Sequence, residues 1–325
     1  MNMLSLFPAI PLLMMLGLWL SKSTRQIHAV MVTGASLLLA LAVLLVFRYL
    51  GLREAGESAA MLFTESHVWY APLNIHYAVG VDGISVAMLL LSAIIVFTGT
   101  FASWQMKDQV KEYFLWYCLL SVGVFGFFIS VDLFTMFLFY EVALIPMYLL
   151  IGVWGSGRKE YSAMKLTLML MGGSALLLCG ILGIYFGAGA QTMNLHEIAA
   201  LHNIPLSQQY IWFPMVFVGF GVLGALFPFH TWVPDAYAYS TPTSAAVLSS
   251  LVSKGYIFLL MKIMYRVIGL DVIVSTGIQD VLFVFALVGM VMGSISAIRQ
   301  TDIRRMIAFS SVAQIGYVFM GIGLG

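Results

Sequence analysis

The chain has 325 residues, of which 62% are hydrophobic and only 9% are charged, and its formal net charge is +1. A soluble domain carries about 25% charged residues. The composition therefore excludes a soluble globular protein and indicates a polytopic membrane protein. The balanced charge gives no support to nucleic-acid binding. Cys118 and Cys179 lie in separate apolar runs without metal-ligand spacing, so we interpret both as small core residues.

Successive apolar runs predict ten transmembrane helices, because one crossing takes about 20 apolar residues. The predicted spans are residues 3–21, 28–50, 84–105, 112–131, 133–154, 160–188, 211–230, 241–267, 277–298 and 302–325. No basic segment precedes the first apolar stretch, so we expect a retained transmembrane helix there and not a cleaved signal peptide. The predicted fold class is an all-α polytopic membrane protein.

The basic residues predict the orientation of the chain. Nine of them lie in alternate loops or at their edges: Lys22, Arg25, Lys107, Lys111, Arg158, Lys159, Arg299, Arg304 and Arg305. Only Arg48, Arg53 and Arg266 lie on the other side. Because basic loops stay in the cytoplasm, the N-terminus is predicted to lie outside.

Two outer loops are long, residues 51–83 and residues 189–210. The first contains VWYAPLNIHYAV, whose weak alternation predicts a short hairpin. The second contains MNLHEIAALHNI, which predicts an amphipathic helix of one to two turns at the interface. Four histidines in these loops are interpreted as surface residues, since their spacing fits no metal site: His67, His76, His196 and His202.

Glu141 is the one carboxylate in the apolar run from Phe137 to Gly155. A charge near the bilayer centre costs roughly 2.5–3.5 kcal/mol on insertion scales, so such a residue is seldom kept without a use. Pro146 follows five residues later and cannot donate a hydrogen bond to the carbonyl of Val142. We therefore predict an interrupted helix that places a free acceptor beside the carboxylate.

The seventh span is followed by three prolines, Pro228, Pro234 and Pro242, within fifteen residues. A helix cannot run through this segment. We expect it to break and to return through an irregular stretch that lines a polar cavity. His230 and Asp235 lie in that stretch, either as cavity residues or as interfacial anchors.

Smaller motifs have structural interpretations. The segment Gly219–Gly224 matches G-x-G-x-x-G, but it follows no strand, which favours close helix packing over nucleotide binding. Gly289 and Gly293 form a second packing motif. Asp132 and Asp280 are interpreted as residues that cap helix N-termini.

Three lysines fall within apolar runs. Lys254 lies near the middle of the eighth span, and Lys165 lies about two turns inside the sixth. Lys262 is predicted to extend to the outer interface. Buried lysines and a buried glutamate together are the pattern of a proton relay. The alternatives are a static ion pair that joins two helices, or another kind of polar site.

Four stretches carry a family resemblance: VGVDGISVAMLLLSAIIVFTG (79–99), FTMFLFYEVALIPMYLLIGVWG (134–155), GRKEYSAMKLTLMLMGGSALLL (157–178) and LGALFPFHTWVPD (223–235). They resemble the M subunits of bacterial respiratory complex I over nearly all of residues 1–235. Those subunits belong to an antiporter-like family that includes cation/proton antiporter complexes and membrane-bound hydrogenases.

The resemblance implies an antiporter-like fold of two inverted five-helix repeats, each with a broken helix. It implies N-terminal helices in residues 1–110, a first repeat with a proton half-channel in residues 111–267, and the start of a second repeat in residues 268–325. Family members run on for about four more helices, so we expect an incomplete second repeat here.

The resemblance also implies site residues. Glu141 matches the fifth-helix glutamate, Lys254 the eighth-helix lysine that passes protons to the central axis, and Lys165 a sixth-helix lysine that recurs in the family. His230 and Asp235 match the PFH-W-PD motif. The proton relay implied by the family is therefore Glu141, Lys254, Lys165 and His230.

Two departures from the family pattern stand out. The lysine that usually partners the glutamate, seven residues before the histidine of the motif, is Leu223 here, so its place falls to another residue such as Lys165. Beyond residue 235 the chain looks more like the D-type subunits of multisubunit cation/proton antiporters. That change suggests a divergent member or a joined sequence.

The expected function is that of a proton-translocating membrane-arm subunit of an NADH:quinone oxidoreductase in a bacterial inner membrane. We expect the chain itself to bind no cofactor and no metal. NADH, FMN, iron–sulfur clusters and quinone are expected in partner subunits, with antiporter-like L- and N-type neighbours. The alternatives are a subunit of a Na⁺/H⁺ antiporter or membrane-bound hydrogenase, and a structural scaffold with a static ion pair.

Overall fold

The computed structural model describes residues 2–189, 192–201, 204–264 and 277–324. Predictions on His202 and Arg266 fall outside these ranges. Within them the α-helices are α1 (Leu6–Leu20), α2 (Thr24–Glu54), α3 (Gly83–Ala102), α4 (Val110–Ile129), α5 (Leu133–Gly152), α6 (Lys159–Gly187), α7 (Leu195–Leu201), α8 (Leu206–Leu223), α9 (Val233–Tyr239), α10 (Pro242–Val247), α11 (Ser253–Lys262), α12 (Ile278–Ile298) and α13 (Ile303–Gly323). The strands are β1 (Leu62–Tyr70) and β2 (Ile75–Val81).

Helix length and hydropathy support a multi-pass membrane protein. In the described ranges, eight helices are long and apolar enough to cross a bilayer, with Pro242–Lys262 counted as one of them. Helix α1 is apolar but only 15 residues long. The count of ten predicted helices is therefore not confirmed. Most predicted boundaries agree with the structure to within a few residues, as for 133–154 against α5.

The loop before α3, residues 51–83, forms the predicted hairpin within an otherwise helical membrane fold. Strands β1 and β2 pair antiparallel through a short 3-10 turn that ends at Asn74. Asp132 connects the hairpin to the start of α5, as a cap should. Its carboxylate accepts the backbone N–H of Thr135 at 2.9 Å and that of His76 at 3.1 Å.

Two histidines of this loop, His67 and His76, belong to the hairpin. The imidazole of His67 lies 2.8 Å from Glu65, and this hydrogen bond lowers the pKa of Glu65. His76 contacts Ser66 at 3.0 Å and Asn74 at 2.8 Å. The second long loop contains α7, which confirms the short helix predicted there.

The chain divides into two compact units, Met1–Leu150 with Pro242–Leu251, and Ile151–Thr241 with Val252–Gly325. In the first, α4 is the most deeply buried of the candidate spans and packs against α1. In the second, α6 packs against α8 and α12 packs against α13. The predicted division at residues 110 and 267 stays a prediction.

Glycines let the helices of the second unit approach closely, as their motifs predicted. A Cβ added to Gly219 on α8 would lie 2.9 Å from the carbonyl oxygen of Gly173 on α6. A Cβ added to Gly293 on α12 would lie 2.8 Å from the backbone nitrogen of Ala313 on α13. These positions therefore favour a residue without a side chain.

Candidate functional site

The break predicted after the seventh span is present, but it begins earlier than predicted. Helix α8 ends at Leu223 and not at residue 230, and Ala225 adopts a left-handed conformation at φ 62°. A 3-10 turn, Phe229–Trp232, then leads into α9. Pro234 lies in the first turn of α9, where a missing N–H costs no hydrogen bond. The polar cavity expected beside this segment stays a prediction.

Trp232 adds a side-chain hydrogen bond to the backbone hydrogen bonds that satisfy the broken end of α8, such as that from Leu226 to Gly221. The last carbonyls of a helix lack partners within it. The fully buried indole of Trp232 donates its N–H to the carbonyl oxygen of Val222 at 3.0 Å. The tryptophan of the PFH-W-PD motif thus donates a hydrogen bond to the backbone of the helix that precedes it.

Asp235 lies at the centre of an ion-pair cluster that we call the Asp235 cluster, formed with Lys165 and Arg305. The ammonium of Lys165, on α6, lies 2.7 Å from one carboxylate oxygen. The guanidinium of Arg305, on α13, lies 3.0 Å from the other. The side chains of Lys165, Asp235 and Arg305 are 25%, 16% and 36% exposed, so the cluster is largely but not fully buried.

Further contacts hold α9 beside this cluster. Arg304 donates to the carbonyl oxygens of Ala238 at 3.3 Å and Ser240 at 3.4 Å, which caps the C-terminal end of α9 with a positive charge. The backbone N–H of Ser156 donates to the carbonyl of Tyr239 at 2.8 Å. The segment after the break is therefore fixed by residues from several parts of its own unit.

His230 lies in the 3-10 turn and is partly buried. Its ring centroid lies 5.5 Å from that of Phe227 and 6.4 Å from that of Phe309. The structure thus places His230 in the turn before α9 and brings Lys165 and Asp235 into contact beside the broken helix.

Lys254 is the second residue of α11 and is partly buried. A π-helical segment, Leu248–Val252, directly precedes this helix. Single π-helical turns are rare and occur frequently at functional sites. Next to Lys254, Ser253 is fully buried. The predicted relay lysine therefore follows an irregular turn within an otherwise apolar helix.

The prediction for Lys262 was wrong. It is only 7% exposed, and its ammonium lies 4.1 Å from the centroid of the Phe258 ring. A cation over an aromatic face is stabilised by the ring quadrupole. Its side chain therefore packs inside the second unit and does not extend outward to the interface.

Glu141 is partly buried on α5, as predicted, but the helix around it is continuous. Helix α5 runs from Leu133 to Gly152 with Pro146 inside it, so the predicted interruption is wrong. A single proline is tolerated in a membrane helix when neighbouring groups satisfy the freed carbonyl. Glu141 belongs to the first compact unit, and the three other predicted relay residues belong to the second.

Arg305 is the contributor that sequence reasoning missed. It was read only as one of the cytoplasmic basic residues. Its partner Asp235 is 70 positions away, and no local pattern joins them. The one signal available was that Arg305 lies within the first turn of α13, where a cation is unfavourable unless it finds a carboxylate.

Comparison with known proteins shows which family the chain belongs to. The family described as NADH:quinone oxidoreductase/Mrp antiporter, transmembrane, matches residues 130–325. NADH-quinone oxidoreductase subunit M of Rickettsia felis is 32% identical over 312 residues, which cover 94% of this chain and 61% of the relative. Subunit M of Rhodobacter capsulatus is 32% identical over 274 residues, 81% of this chain and 52% of the relative. The chain thus spans about half to three fifths of these relatives.

Solved structures show the same fold. A chain of the archaeal membrane-bound sulfane sulfur reductase superposes with a TM-score of 0.85 at 23% identity, covering 98% of this chain and 64% of that one. Respiratory complex I from Thermus thermophilus gives 0.83 at 21% identity, with coverage of 98% and 64%. The Mrp complex of a Dietzia species gives 0.82 at 24%, with coverage of 99% and 58%.

The alignment to the Rickettsia relative takes in 94% of the chain and so extends past residue 235. The predicted closer likeness of residues 235–325 to D-type antiporter subunits stays a prediction. With a family match over residues 130–325 and an antiporter-like fold, the chain belongs to the NADH:quinone oxidoreductase/Mrp antiporter transmembrane family.

Proposed function

We propose that this chain is a proton-translocating membrane-arm subunit of an NADH:quinone oxidoreductase. The observation that carries the proposal is the presence of three ionisable side chains, Glu141, Lys165 and Lys254, partly buried within apolar helices. Ionisable residues at such positions mark proton relays in membrane proteins. The subunit M relatives are named as parts of an enzyme of this kind.

In the proposed mechanism Glu141, Lys165, His230 and Lys254 take up and release protons as their surroundings change charge. Redox energy released in partner subunits biases these states, since a switch acts through local charge and a bistable element. NADH, FMN, iron–sulfur clusters and quinone belong to the partners. The L- and N-type antiporter-like subunits are the proposed neighbours in the membrane arm.

Leu223 shapes the proposal, because it is a fully buried neutral residue where the family resemblance leads one to expect a lysine. We propose that Lys165 supplies the positive charge that this position lacks. Lys165 has a carboxylate partner in Asp235, 2.7 Å away.

The test compares Glu141→Gln with Glu160→Gln in vesicles that contain the whole complex. Glu160 is an exposed glutamate in the first turn of α6, so it is a control for the same chemical change. We expect Glu141→Gln to keep assembly and to lower NADH-driven proton uptake at least about 100-fold, the low end of what one general acid–base group contributes. Glu160→Gln is expected to match the parent.

Equal uptake in Glu141→Gln and parent would overturn the relay role of this carboxylate. A static scaffold would instead lose assembly and keep pumping per assembled complex. A corresponding pair, Lys254→Met and the exposed Lys107→Met, extends the test to the second unit. Assembly is followed in each variant by the amount of complex recovered from the membrane.

A second candidate is a subunit of a Na⁺/H⁺ antiporter or membrane-bound hydrogenase complex. The family description covers Mrp antiporters, and the Mrp complex has the same fold at a TM-score of 0.82. Sodium dependence decides between the two candidates. Ion transport that requires Na⁺ and proceeds without NADH favours the antiporter, whereas NADH-driven uptake without Na⁺ favours the first proposal.

The orientation is also part of the proposal: a bacterial inner membrane, with the N-terminus outside. Cys118 is buried as predicted, but Cys179 is exposed and is not a core residue, so the native cysteines are first replaced by serine. Cysteines then introduced at the exposed Lys22 and Glu57 report the two faces. A membrane-impermeant maleimide added to intact cells is expected to label Glu57→Cys and not Lys22→Cys. The reverse labelling would contradict the orientation.

A further inference from the structure

We propose that Asp235 is a positioning residue for Lys165, and that Arg305 shares its carboxylate so that the Lys165–Asp235 pair opens and closes during turnover. The inference rests on the proposed function and adds two residues, Asp235 and Arg305, to its machinery. Its basis is geometric, because each carboxylate oxygen of Asp235 contacts a cation from a different helix.

Sharing one carboxylate between two cations makes the lysine pair reversible. If Lys165 were the only partner, opening the pair would leave a largely buried carboxylate without compensation, which is strongly unfavourable. Arg305 remains protonated at all physiological pH values. It therefore holds Asp235 whenever Lys165 leaves or loses its proton, and the cost of opening falls.

The position of Asp235 links the opening of the Lys165 pair to the broken helix. Asp235 lies in the first turn of α9, where a negative charge is favoured, and α9 directly follows the broken end of α8. The groups around the Lys165 ammonium are Asp235, Arg305, His230 and the ring of Tyr161, whose centroid is 5.8 Å away. Of these, Asp235 is the anion, and Arg305 is the permanent cation that also contacts Tyr239 at 3.4 Å.

The proposal predicts shifts of opposite sign in the pH profile of NADH-driven proton uptake by vesicles that contain the complete complex. Asp235→Asn removes the negative charge that lies 2.7 Å from the Lys165 ammonium, so the alkaline limb of the profile moves to lower pH by about one unit or more. Arg305→Gln removes a repelling cation, so the limb moves to higher pH by a smaller amount. Asp235→Glu restores the limb toward that of the parent.

Arg304→Gln is the matched control, because the neighbouring arginine contacts the backbone carbonyls of Ala238 and Ser240 and not the carboxylate. We expect less assembled complex but an unmoved alkaline limb. If the complex does not assemble with Asp235→Asn, the test is made by comparing the pH profiles of Arg305→Gln and Arg305→Lys with that of the parent. A parental limb in Arg305→Gln, or shifts of the same sign in Asp235→Asn and Arg305→Gln, would overturn the proposal.

The outcomes separate this inference from the proposed function. If neither Glu141→Gln nor Lys254→Met lowers proton uptake, the proposed function falls and this inference falls with it. If Glu141→Gln stops uptake while Asp235→Asn and Arg305→Gln keep the parental pH profile, only this inference falls. A purely structural Asp235 cluster would lower the yield of complex in both variants without moving the limb.

Discussion

Helix α5 and the segment from α8 to α9 both carry proline in apolar surroundings, but only the second is broken. Helix α5 runs through Pro146 without interruption. Helices α1 and α8 likewise contain Pro11 and Pro214. After Leu223, by contrast, the chain leaves the helix and resumes it only at Val233.

The difference teaches that partners outside the helix decide where a break persists. One proline removes one hydrogen bond and frees one carbonyl, which a packed helix tolerates. The broken segment frees several groups, and these have partners. Trp232 donates to the end of α8, and Arg304 caps the end of α9. Asp235 is held by two cations.

The largest expected effect on the free energy of unfolding comes from removing Trp232, which donates a hydrogen bond to the end of α8. Trp232→Ala is expected to lower the free energy of unfolding by about 3–5 kcal/mol, because it deletes a fully buried aromatic ring. Trp232→Phe keeps most of the packing and loses the N–H, at about 1 kcal/mol. Thermal unfolding in detergent measures both. A cost below about 1 kcal/mol for Trp232→Ala would contradict this role.

The packing of the continuous helix α5 is tested by a substitution at Gly123, where α4 contacts it closely. A Cβ at Gly123 would lie 2.7 Å from the carbonyl oxygen of Phe139 and 2.9 Å from the backbone nitrogen of Ala143. Gly123→Ala is therefore expected to cost about 1–3 kcal/mol through overpacking. Gly51→Ala on α2 meets nothing within 4 Å and is the control. Equal stability of both variants would show that the α4–α5 contact gives way easily.

The start of α5 carries a pH-dependent contribution. Burial raises the pKa of the Asp132 carboxyl above its ordinary value. Ionisation therefore disfavours the folded state, and the stability of the parent should fall as pH rises through the folded pKa. Asp132→Asn removes this dependence and costs about 1 kcal/mol, because the amide keeps only one of the two oxygens that accept from Thr135 and His76. The free energy of unfolding of Asp132→Asn should lie further below that of the parent at pH 4 than at pH 7, as measured by unfolding experiments at both pH values. An equal difference at the two pH values would contradict a raised pKa for Asp132.

The smallest effect is expected at Pro146. Pro146→Ala should change the free energy of unfolding by less than about 1 kcal/mol, because α5 is already continuous there. NADH-driven proton uptake should equal that of the parent. A large loss of uptake with unchanged stability would instead support the hypothesis that the backbone carbonyl of Val142, freed by Pro146, takes part in proton transfer with Glu141.

Local chemistry determined much of this protein from its sequence. Apolar runs gave most helix boundaries to within a few residues, since hydrophobic length is a property of a single segment. Weak alternation predicted the hairpin of β1 and β2, and three closely spaced prolines predicted the break after α8. Asp132 was correctly placed as a cap, because its partner Thr135 is only three positions away.

The tertiary structure alone decided the partners of the charged residues. Lys165 and Arg305 each lie 70 positions from Asp235, and hydrophobicity and propensity carry no information over that distance. Packing of the second unit likewise buries Lys262 against Phe258 instead of extending it to the interface. Whether a proline breaks a helix is decided in the same way, because freed backbone groups are stabilised only by residues that the fold brings to them.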